Sequence, residues 1–424
     1  MRRPCRHFFA RFPALAVAAL WLAGCVHLPP APPPKAVTPP AKPAEAPSGP
    51  YFTKLLPEQL PAFNDDLPKE TLSRAIDRSL AYLKSASFRL HQIGGASYSR
   101  DFLIESLEDF KRLWESAPDE KSFLESLRGS FDVYQSTGSD NAGKVVFSSY
   151  YEPTLPARDK PDAKFKFPLY ARPPDMVEIQ LKDFNPKWED ERIIGRVSGN
   201  KVSPYFTREE IDLDKALAGK NLELAWLSSN FDRLSLHIQG SGRLVFAGGV
   251  EKRAQFAATN NYPYRSVGLI LIETGAMNRD EVTHERVRQY FEDHPEAGEW
   301  VIAKNKRYTF FEIKDIEPDS EPLGTVRQQL TPGRSIAFDP QVAPLGILAF
   351  METLIPSAAE NGKLLGVIPA ARFVVLQDTG GAIKGPGRVD LFAGHGPQAH
   401  TMATNLWYPG RLFLVIKKLP APAR

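Results

Sequence analysis

The chain changes its hydrophobic pattern near residue 145, and this change constrains the fold more than any other sequence feature. From there to the C-terminus, short runs of apolar, β-branched or aromatic residues are separated by glycine and proline. Runs of this kind, bounded by turn-forming residues, are typical of β-strands. They include Val145–Tyr150, Leu234–Gln239, Leu244–Ala247, Phe373–Gln377 and Leu412–Ile416. The larger part of the chain is therefore predicted to be β-rich.

The segment before residue 145 has the periodicity of helices instead. Two groups of apolar residues recur there at helical spacing: Leu72, Ile76, Leu80 and Leu83, and then Leu103, Leu107, Phe110 and Trp114. Such stripes predict helices that face a core. A further short helix is predicted over Ser122–Leu127, and two interrupt the strand region, one opened by the capping box of Thr207 and Glu210 and one over Asp280–Phe291. The predicted class is mainly β with N-terminal helices, α+β overall.

The first 24 residues are typical of a lipoprotein signal peptide. Four arginines precede an apolar stretch, Ala14–Leu22, which is far shorter than the ~20 residues that a membrane-spanning helix needs. Small residues directly before Cys25 predict cleavage at that point and acylation of the thiol, although an ordinary secretory signal cut elsewhere is an alternative. Several acyl chains would anchor the protein stably. By resemblance to such lipoproteins, Val26 after the cysteine implies sorting to the outer membrane, facing the periplasm.

Residues 25–50 are predicted to form the lipidated cysteine and a tether. Ten prolines among the 25 positions of Val26–Pro50 exclude a packed structure. At ~3.1 Å per residue, an extended segment of this length reaches roughly 75 Å.

Charge and cysteine content exclude several classes of function. Removing the four signal arginines leaves 49 basic and 50 acidic residues, a balance that gives no support to nucleic-acid binding. Cys5 is lost with the signal and Cys25 is acylated. Disulfides, thiolate metal sites and a cysteine nucleophile are therefore not expected.

A glycine-rich segment between two aspartates carries the clearest chemical signal. Four glycines separate Asp378 from Asp390, so the backbone can turn tightly and the two carboxylates can converge. Val389 and Leu391 flank Asp390, which predicts a half-desolvated carboxyl with a raised pKa, suited to a general acid. Asp339 adds a third aspartate at a predicted strand end, where the following proline favours a structural turn.

These segments resemble the membrane-bound lytic transglycosylase A family. The three-aspartate signature of that family is matched by Asp339, Asp378 and Asp390. Four further segments match in collinear order: Tyr150–Pro153, Phe167–Pro174, His237–Leu244 and Tyr262–Gly268. The resemblance covers the chain from about residue 120 to the C-terminus.

The resemblance implies a double-psi β-barrel catalytic domain, an inserted β-rich domain and a glycan groove between them. The expected limits are 51–157 with 319–424 for the barrel and its helices, and 158–318 for the substrate-binding insert. The resemblance also implies cleavage of the β-1,4 bond between N-acetylmuramic acid and N-acetylglucosamine in peptidoglycan, with a 1,6-anhydromuramyl product and Asp390 as the catalytic residue.

One carboxyl is sufficient for this reaction, although most glycosidases need two. The C6 hydroxyl of muramic acid can attack C1 itself, so water takes no part. Protonated Asp390 gives its proton to the glycosidic oxygen and then takes one from the C6 hydroxyl. Asp378 is expected to orient Asp390 or the sugar, and neither a metal nor an organic cofactor is required.

Several other side chains are candidate glycan contacts, each with a structural alternative. Aromatic rings suited to stacking on sugars, or to core packing, are Tyr150, Tyr151, Tyr262 and Tyr264. Donors to sugar hydroxyl or acetamido groups, or else parts of a hairpin turn, are Gln239, Gly240 and Ser241. The loop residues Lys384, Gly385 and Arg388 are candidates for contact with the lactyl or peptide carboxylates of peptidoglycan. The alternative is that they are only solvated. His395 beside a glycine turn is expected to be structural.

Two other functions are compatible with the same residues. A hydrolase of β-1,4 glycans on the same barrel would use water, with Asp378 and Asp390 as acid and base. A non-catalytic lipoprotein would bind glycan strands and recruit other cell-wall enzymes, with the tether as a spacer. In every case the expected partners are peptidoglycan and a membrane, without nucleic acid.

Overall fold

The computed structural model describes residues 50–86, 90–188 and 192–420. The predicted signal peptide, Cys25 and the tether up to residue 49 lie outside these ranges. In the described ranges, helices of the length and apolar character needed to cross a membrane are absent.

Short helices and strands alternate along the described chain. The N-terminal part contains β1 (Phe52–Lys54), α1 (Lys69–Ser85), β2 (Leu90–Ile93), β3 (Ala96–Ser99), α2 (Arg100–Ser116), α3 (Glu120–Ser130), β4 (Phe131–Ser136) and β5 (Val145–Glu152). The middle part contains β6 (Thr154–Arg158), β7 (Phe167–Tyr170), β8 (Met176–Gln180), β9 (Arg192–Ser198), β10 (Lys201–Pro204), α4 (Arg208–Asp212), β11 (Glu223–Leu227), α5 (Asn230–Gln239), β12 (Ser241–Val245), β13 (Glu251–Thr259), α6 (Val267–Glu273), α7 (His284–Asp293), α8 (Pro295–Ala303) and β14 (Thr309–Asp315). The C-terminal part contains β15 (Ser335–Ala337), β16 (Leu348–Ala358), β17 (Leu364–Asp378), β18 (Arg388–His395), α9 (Gly396–Asn405) and β19 (Trp407–Lys417). The mainly β composition with N-terminal helices is confirmed.

Six strands close into a barrel, in the ring order β5-β18-β15-β17-β16-β19. The ring closes because β19 changes partners along its length: Trp407–Gly410 pairs with β5, while the following residues pair with β16 and β4. The pairs β5–β18 and β15–β17 are parallel, and the other pairs in the ring are antiparallel. Strand β1 pairs with β4 and extends the sheet beyond the ring.

Side-chain alternation gives the barrel wall two different faces. Inward residues such as Leu376, Val389 and Leu391 are fully buried in the barrel core. The outward residues Phe373 and Phe413 pack with the apolar stripes of α1, α2 and α3 in a second core. The helices therefore cover one side of the barrel, formed by β16, β17 and β19.

The middle part forms a second sheet in the order β14-β13-β12-β6-β11-β7. A parallel bridge between Ala171 and Phe311 links its two edges, so this sheet also curls toward closure. Strands β8, β9 and β10 form a smaller sheet beside it. The chain leaves the barrel at Pro153, because β6 already pairs with β11 and β12.

The middle part also contains a strand prediction that is wrong. Leu234–Gln239 lies in α5, which begins after the Ser229 cap and ends at Gly240 in a left-handed conformation, φ +83°. A six-residue alternation of apolar and polar residues resembles a strand, whereas the caps at both ends were the better signal. The capping box of Thr207 and Glu210 is confirmed.

Candidate active site

Five neighbouring strands present one residue each at the same level of the barrel wall. In spatial order these register partners are Asp378, Ala337, Asp390, Ser148 and Trp407. Val389 and Leu391 fill the barrel core, so Asp390 between them lies on the outer face. The two aspartates flank Ala337, which places their Cα atoms about 10 Å apart at the usual strand spacing.

A bulge in β17 brings Asp378 into this row. The pairing of β15 with β17 skips Gln377 and places Asp378 opposite Ala337. Gln377 is buried, and its amide donates to the Ala75 carbonyl at 2.8 Å and to Ser79 Oγ at 2.9 Å in α1. The bulge thus anchors Gln377 to the helical layer and leaves Asp378 free for the site.

Asp390 is a half-buried carboxyl with one strong hydrogen bond. Ser148 Oγ donates to Asp390 Oδ1 at 2.7 Å, and Arg388 Nη2 donates to Ser148 Oγ at 2.9 Å. Burial raises the pKa of Asp390 to about 6, although the Ser148 hydrogen bond and the Arg388 charge lower it, and the charge of Asp378 raises it further. Because this pKa is near neutral, Asp390 can both donate and accept a proton under mild conditions.

Asp378 acts only as a hydrogen-bond acceptor. Its Oδ2 accepts from the Tyr150 hydroxyl at 2.8 Å. Its Oδ1 accepts from the Thr325 amide and hydroxyl at 2.9 and 2.7 Å, and from the Thr379 amide at 2.9 Å. The Tyr150 ring lies against Phe392, and burial, followed by the nearby Asp378, raises the pKa of Tyr150 well above its ordinary value. Tyr150 therefore stays a donor.

The glycine-rich loop after Asp378 is held by the third aspartate. Asp339 is buried, and its Oδ2 accepts from the Gly385 amide at 2.8 Å. Gly385 has φ +74°, a conformation that favours glycine over other residues. Lys384 Nζ lies 4.0 Å from Asp339 Oδ1, and its side chain is mostly exposed. Asp339 therefore fixes the loop that presents Lys384.

The middle part approaches the barrel at two points near this row. A Cβ built on Gly381 would lie 3.5 Å from Arg307 Cζ, and Arg307 Nη1 donates to the Tyr262 carbonyl at 3.1 Å. Gln239 Oε1 accepts from the Tyr151 amide at 3.0 Å, next to Tyr150. The structure thus brings Asp390, Asp378 and Tyr150 together with parts of the predicted glycan-binding set.

Other predicted contacts lie in more packed surroundings. The Tyr151 side chain is buried against His400 at a ring separation of 5.4 Å. Gly240 ends α5, and Ser241 is buried at the start of β12, so the hairpin alternative for these residues is wrong. Tyr264 is half-buried, and burial raises its pKa.

Four further residues lie at the site without having been predicted from the sequence: Ser148, Thr325, Arg307 and Trp407. Ser148 had a usable signal, because it alternates with Tyr150 on the outward face of a predicted strand. Trp407 is 66% exposed beside the Arg388 guanidinium, an unusual position for a large aromatic ring. Thr325 and Arg307 belong to distant segments, and nothing local marks them.

Among the residues that the structure describes, one cluster has metal-ligand residue types: Glu152, Glu321 and His395 offer atoms within 4.8 Å of one another. Glu152 is, however, already paired with Arg243 at 3.0 Å and with Arg253 at 2.5 Å. Two guanidinium groups beside the carboxylate disfavour a cation there. The cluster instead joins the end of β5 to β12 and β13.

Comparisons with known proteins agree on one family. Residues 146–312 match the model for the MltA specific insert domain, and residues 334–413 match the 3D domain. The chain is 30% identical over 293 residues to the membrane-bound lytic murein transglycosylase A of Escherichia coli (strain K12), covering 68% of this chain and 70% of that protein.

Solved structures give the same result for the fold. A membrane-bound lytic murein transglycosylase from Agrobacterium tumefaciens matches with a TM-score of 0.69 and 25% identity, covering 86% of this chain and 97% of that chain. Escherichia coli MltA with bound chitohexaose matches with a TM-score of 0.64 and 23% identity, covering 89% of this chain and 100% of that chain.

Proposed function

The chain belongs to the membrane-bound lytic murein transglycosylase A family, and we propose that it cleaves the β-1,4 bond between N-acetylmuramic acid and N-acetylglucosamine in peptidoglycan. The observation that carries this proposal is Asp390, a half-buried carboxyl with a pKa of about 6 on the outer barrel wall. The proposed product of the reaction is a 1,6-anhydromuramyl sugar.

The reaction uses Asp390 twice. The protonated carboxyl gives its proton to the glycosidic oxygen as the bond from that oxygen to C1 breaks, and the N-acetylglucosamine leaves with a new hydroxyl. The C6 hydroxyl of the muramic acid then bonds to C1, and its proton passes to the Asp390 carboxylate. The acid form is regenerated, and water is not consumed. Asp378, fixed by its hydrogen-bond donors, orients the site and adds negative charge near the positive charge that develops at C1.

We place the glycan between the barrel, residues 51–157 with 319–424, and the insert, residues 158–318. The approaches of Arg307 to Gly381 and of Gln239 to Tyr151 support this placement. Tyr150, Tyr262 and Lys384 are the side chains we assign to glycan contact. The two parallel strand pairs in the ring support a double-psi topology for the barrel.

Replacing Asp390 by asparagine tests the activity. Asparagine keeps the shape and can still accept from Ser148, but it cannot give a proton to the glycosidic oxygen. Turnover of purified glycan strands should fall by at least ~10²–10⁴-fold with the fold intact. Asp378→Asn should cost less, because it removes a charge and not the proton donor. Turnover by HPLC and folding by circular dichroism are the measurements.

Mass spectrometry of the wild-type product separates the competing functions. The released sugar should be one water lighter than a hydrolytic product and should carry no label from heavy-oxygen water. Heavy oxygen at C1 would establish the hydrolase. Glycan binding without any turnover by the wild type would establish the binding lipoprotein, and near-normal activity of Asp390→Asn would move the catalytic role to another residue.

We also propose that Cys25 is lipidated and that the tether holds the enzyme at the periplasmic face of the outer membrane, within reach of peptidoglycan and of other cell-wall enzymes. The small residues before Cys25 and the proline-rich stretch support this proposal. Intact-mass analysis of the membrane fraction should find residues 1–24 missing and acyl chains on Cys25. A soluble mature chain that begins at another residue would refute the anchor.

A further inference from the structure

Arg388, Ser148 and Asp390 form a hydrogen-bonded chain along the outer barrel wall. Arg388 and Asp390 are two residues apart on β18, so their side chains leave the strand on the same face. Ser148 faces them from β5 and lies in register with Asp390. Its oxygen accepts from Arg388 Nη2 at 2.9 Å, and its hydroxyl donates to Asp390 Oδ1 at 2.7 Å.

The guanidinium group is itself held in place. Arg388 Nη1 donates to the Val146 carbonyl at 3.3 Å, and Arg388 Cζ lies 4.4 Å from the centre of the Trp407 ring. A hydrogen bond on one edge and an aromatic ring on one face define the plane of the group. Arg388 therefore points one N–H at Ser148 in a fixed direction.

This arrangement determines where the hydroxyl hydrogen of Ser148 points. A guanidinium cannot accept a hydrogen bond, so Ser148 Oγ must be the acceptor toward Arg388. The hydroxyl hydrogen then has two acceptors, Asp390 Oδ1 at 2.7 Å and the Val389 carbonyl at 3.5 Å. The carboxylate oxygen is nearer and charged, so it takes the hydrogen.

The two oxygens of Asp390 are consequently not equivalent. Oδ1 is occupied by the Ser148 hydroxyl, and a proton on Oδ1 would displace that donor. Within the described part of the chain, Oδ2 has no hydrogen-bond partner, and it is not fully buried. A proton on Oδ2 leaves the chain from Arg388 through Ser148 intact.

We propose that Arg388 and Ser148 are positioning residues that reserve Asp390 Oδ2 as the oxygen which gives up and recovers the catalytic proton. This inference rests on the proposed transglycosylase function, because it assigns an atom to that reaction. The scissile glycosidic oxygen and the C6 hydroxyl must both approach Oδ2, from the side of the wall away from Ser148.

The same contacts set the pH range of the enzyme. The charged and titratable groups that face Asp390 are Arg388 on its own strand, Asp378 from β17 and Tyr150 from β5. Ser148 and Arg388 both stabilise the ionised carboxyl and so lower its pKa. Removing either side chain raises the pKa of Asp390, so the carboxyl stays protonated to higher pH. The orientation of the carboxyl is then less well fixed.

Ser148→Ala and Arg388→Met should therefore slow turnover and move the alkaline limit of kcat/KM upward by ~0.5–1 pH unit. Ser148→Thr keeps the hydroxyl and should restore both the rate and the pH limit. Ser149→Ala is the matched control, because the Ser149 hydroxyl donates to the Leu391 carbonyl and is not part of the chain. Its pH profile should equal that of the wild type.

A second readout is independent of activity. The Asp390 carboxyl carbon in ¹³C-aspartate-labelled protein, identified by its loss in Asp390→Asn, should titrate at higher pH in Ser148→Ala than in the wild type. A slower Ser148→Ala enzyme whose titration and pH limit stay at the wild-type values, or move down, would overturn the inference. Failure of the wild type to release an anhydro sugar would instead overturn the proposed function.

Discussion

Asp390 combines two requirements that oppose each other at the scale of one residue. Catalysis needs a carboxyl that is still partly protonated near neutral pH, and burial supplies this by raising its pKa to about 6. The same burial makes the ionised form costly in the folded state. At pH values where Asp390 is ionised, the site therefore lowers the stability of the whole domain.

Asp390→Asn should thus stabilise the protein at alkaline pH while abolishing its activity. The folded pKa lies above the unfolded value, so the stability contributed by protonated Asp390 is complete below about pH 4 and is lost as the pH rises through about 6. The asparagine side chain does not ionise, so the variant does not lose this stability as the pH rises. After allowance for partial exposure, the variant should gain about 1–2 kcal/mol in the free energy of unfolding at pH 8.

Urea unfolding of both proteins at pH 4.5 and pH 8 measures this difference. The two proteins should have nearly equal stability at pH 4.5 and diverge at pH 8. An equal difference at both pH values would mean that the charge of Asp390 is not its cause.

The sequence could predict Asp390 but not the residues that control it. Val389 and Leu391 lie beside Asp390 in the chain and already indicate partial burial. Ser148 is 242 positions away, and its role depends on the parallel register of β5 and β18, which no local pattern encodes. Asp378 faces the site only because the bulge skips Gln377. Local chemistry was predictable, whereas relations that depend on register were not.

At the scale of elements, the loop between β17 and β18 carries much of the site, yet it has little regular structure. Its position depends on Asp339, which lies in the segment after β15 and accepts from the Gly385 amide. The three aspartates therefore have separate functions. In the proposed mechanism, Asp390 performs the chemistry and Asp378 orients the site, while Asp339 holds the loop between them.

Asp339→Ala should release this loop. It leaves the Gly385 amide without its acceptor, and it should lower the free energy of unfolding by ~1–3 kcal/mol and reduce turnover by about tenfold or more. Lys384→Ala is a suitable control for stability, because its exposed ammonium lies 4.0 Å from the same carboxylate and should change stability by less than ~0.5 kcal/mol. Urea titrations and turnover assays test both variants, and wild-type turnover by Asp339→Ala would contradict the role of the anchor.

At the scale of the whole molecule, the cluster around Glu152 joins the two sheets. Glu152 is fully buried at the end of β5, and Arg243 and Arg253 reach it from β12 and β13. Arg253 Nη2 also donates to the Ser320 carbonyl at 2.8 Å, where the chain returns toward the barrel. One carboxylate therefore links the barrel, the insert and the returning segment, and fixes their relative position.

Glu152→Gln should loosen this junction. It leaves Arg253 without a counter-charge and Arg243 with only the exposed Glu251, at 3.9 Å, and should cost about 3 kcal/mol in the free energy of unfolding. The exposed pair of Lys252 and Asp315 provides the control, since Asp315→Asn should cost less than ~0.5 kcal/mol. Small-angle scattering should detect a wider spread of domain positions in Glu152→Gln, and KM for long glycan strands should rise more than kcat falls. Unchanged scattering and stability would show that the junction does not depend on this charge.

Strand β19 closes the barrel, and this has a consequence for the time at which the enzyme becomes active. Trp407–Gly410 pairs with β5, whose residues are made far earlier, and the whole insert is synthesised between them. Contacts between such distant segments form slowly, because the entropy of closing a long loop must be overcome before they contribute. A chain that is still being synthesised has Ser148 but neither Asp390 nor the closing strand. An enzyme that can cut the cell wall therefore remains inert until its last strand has been delivered.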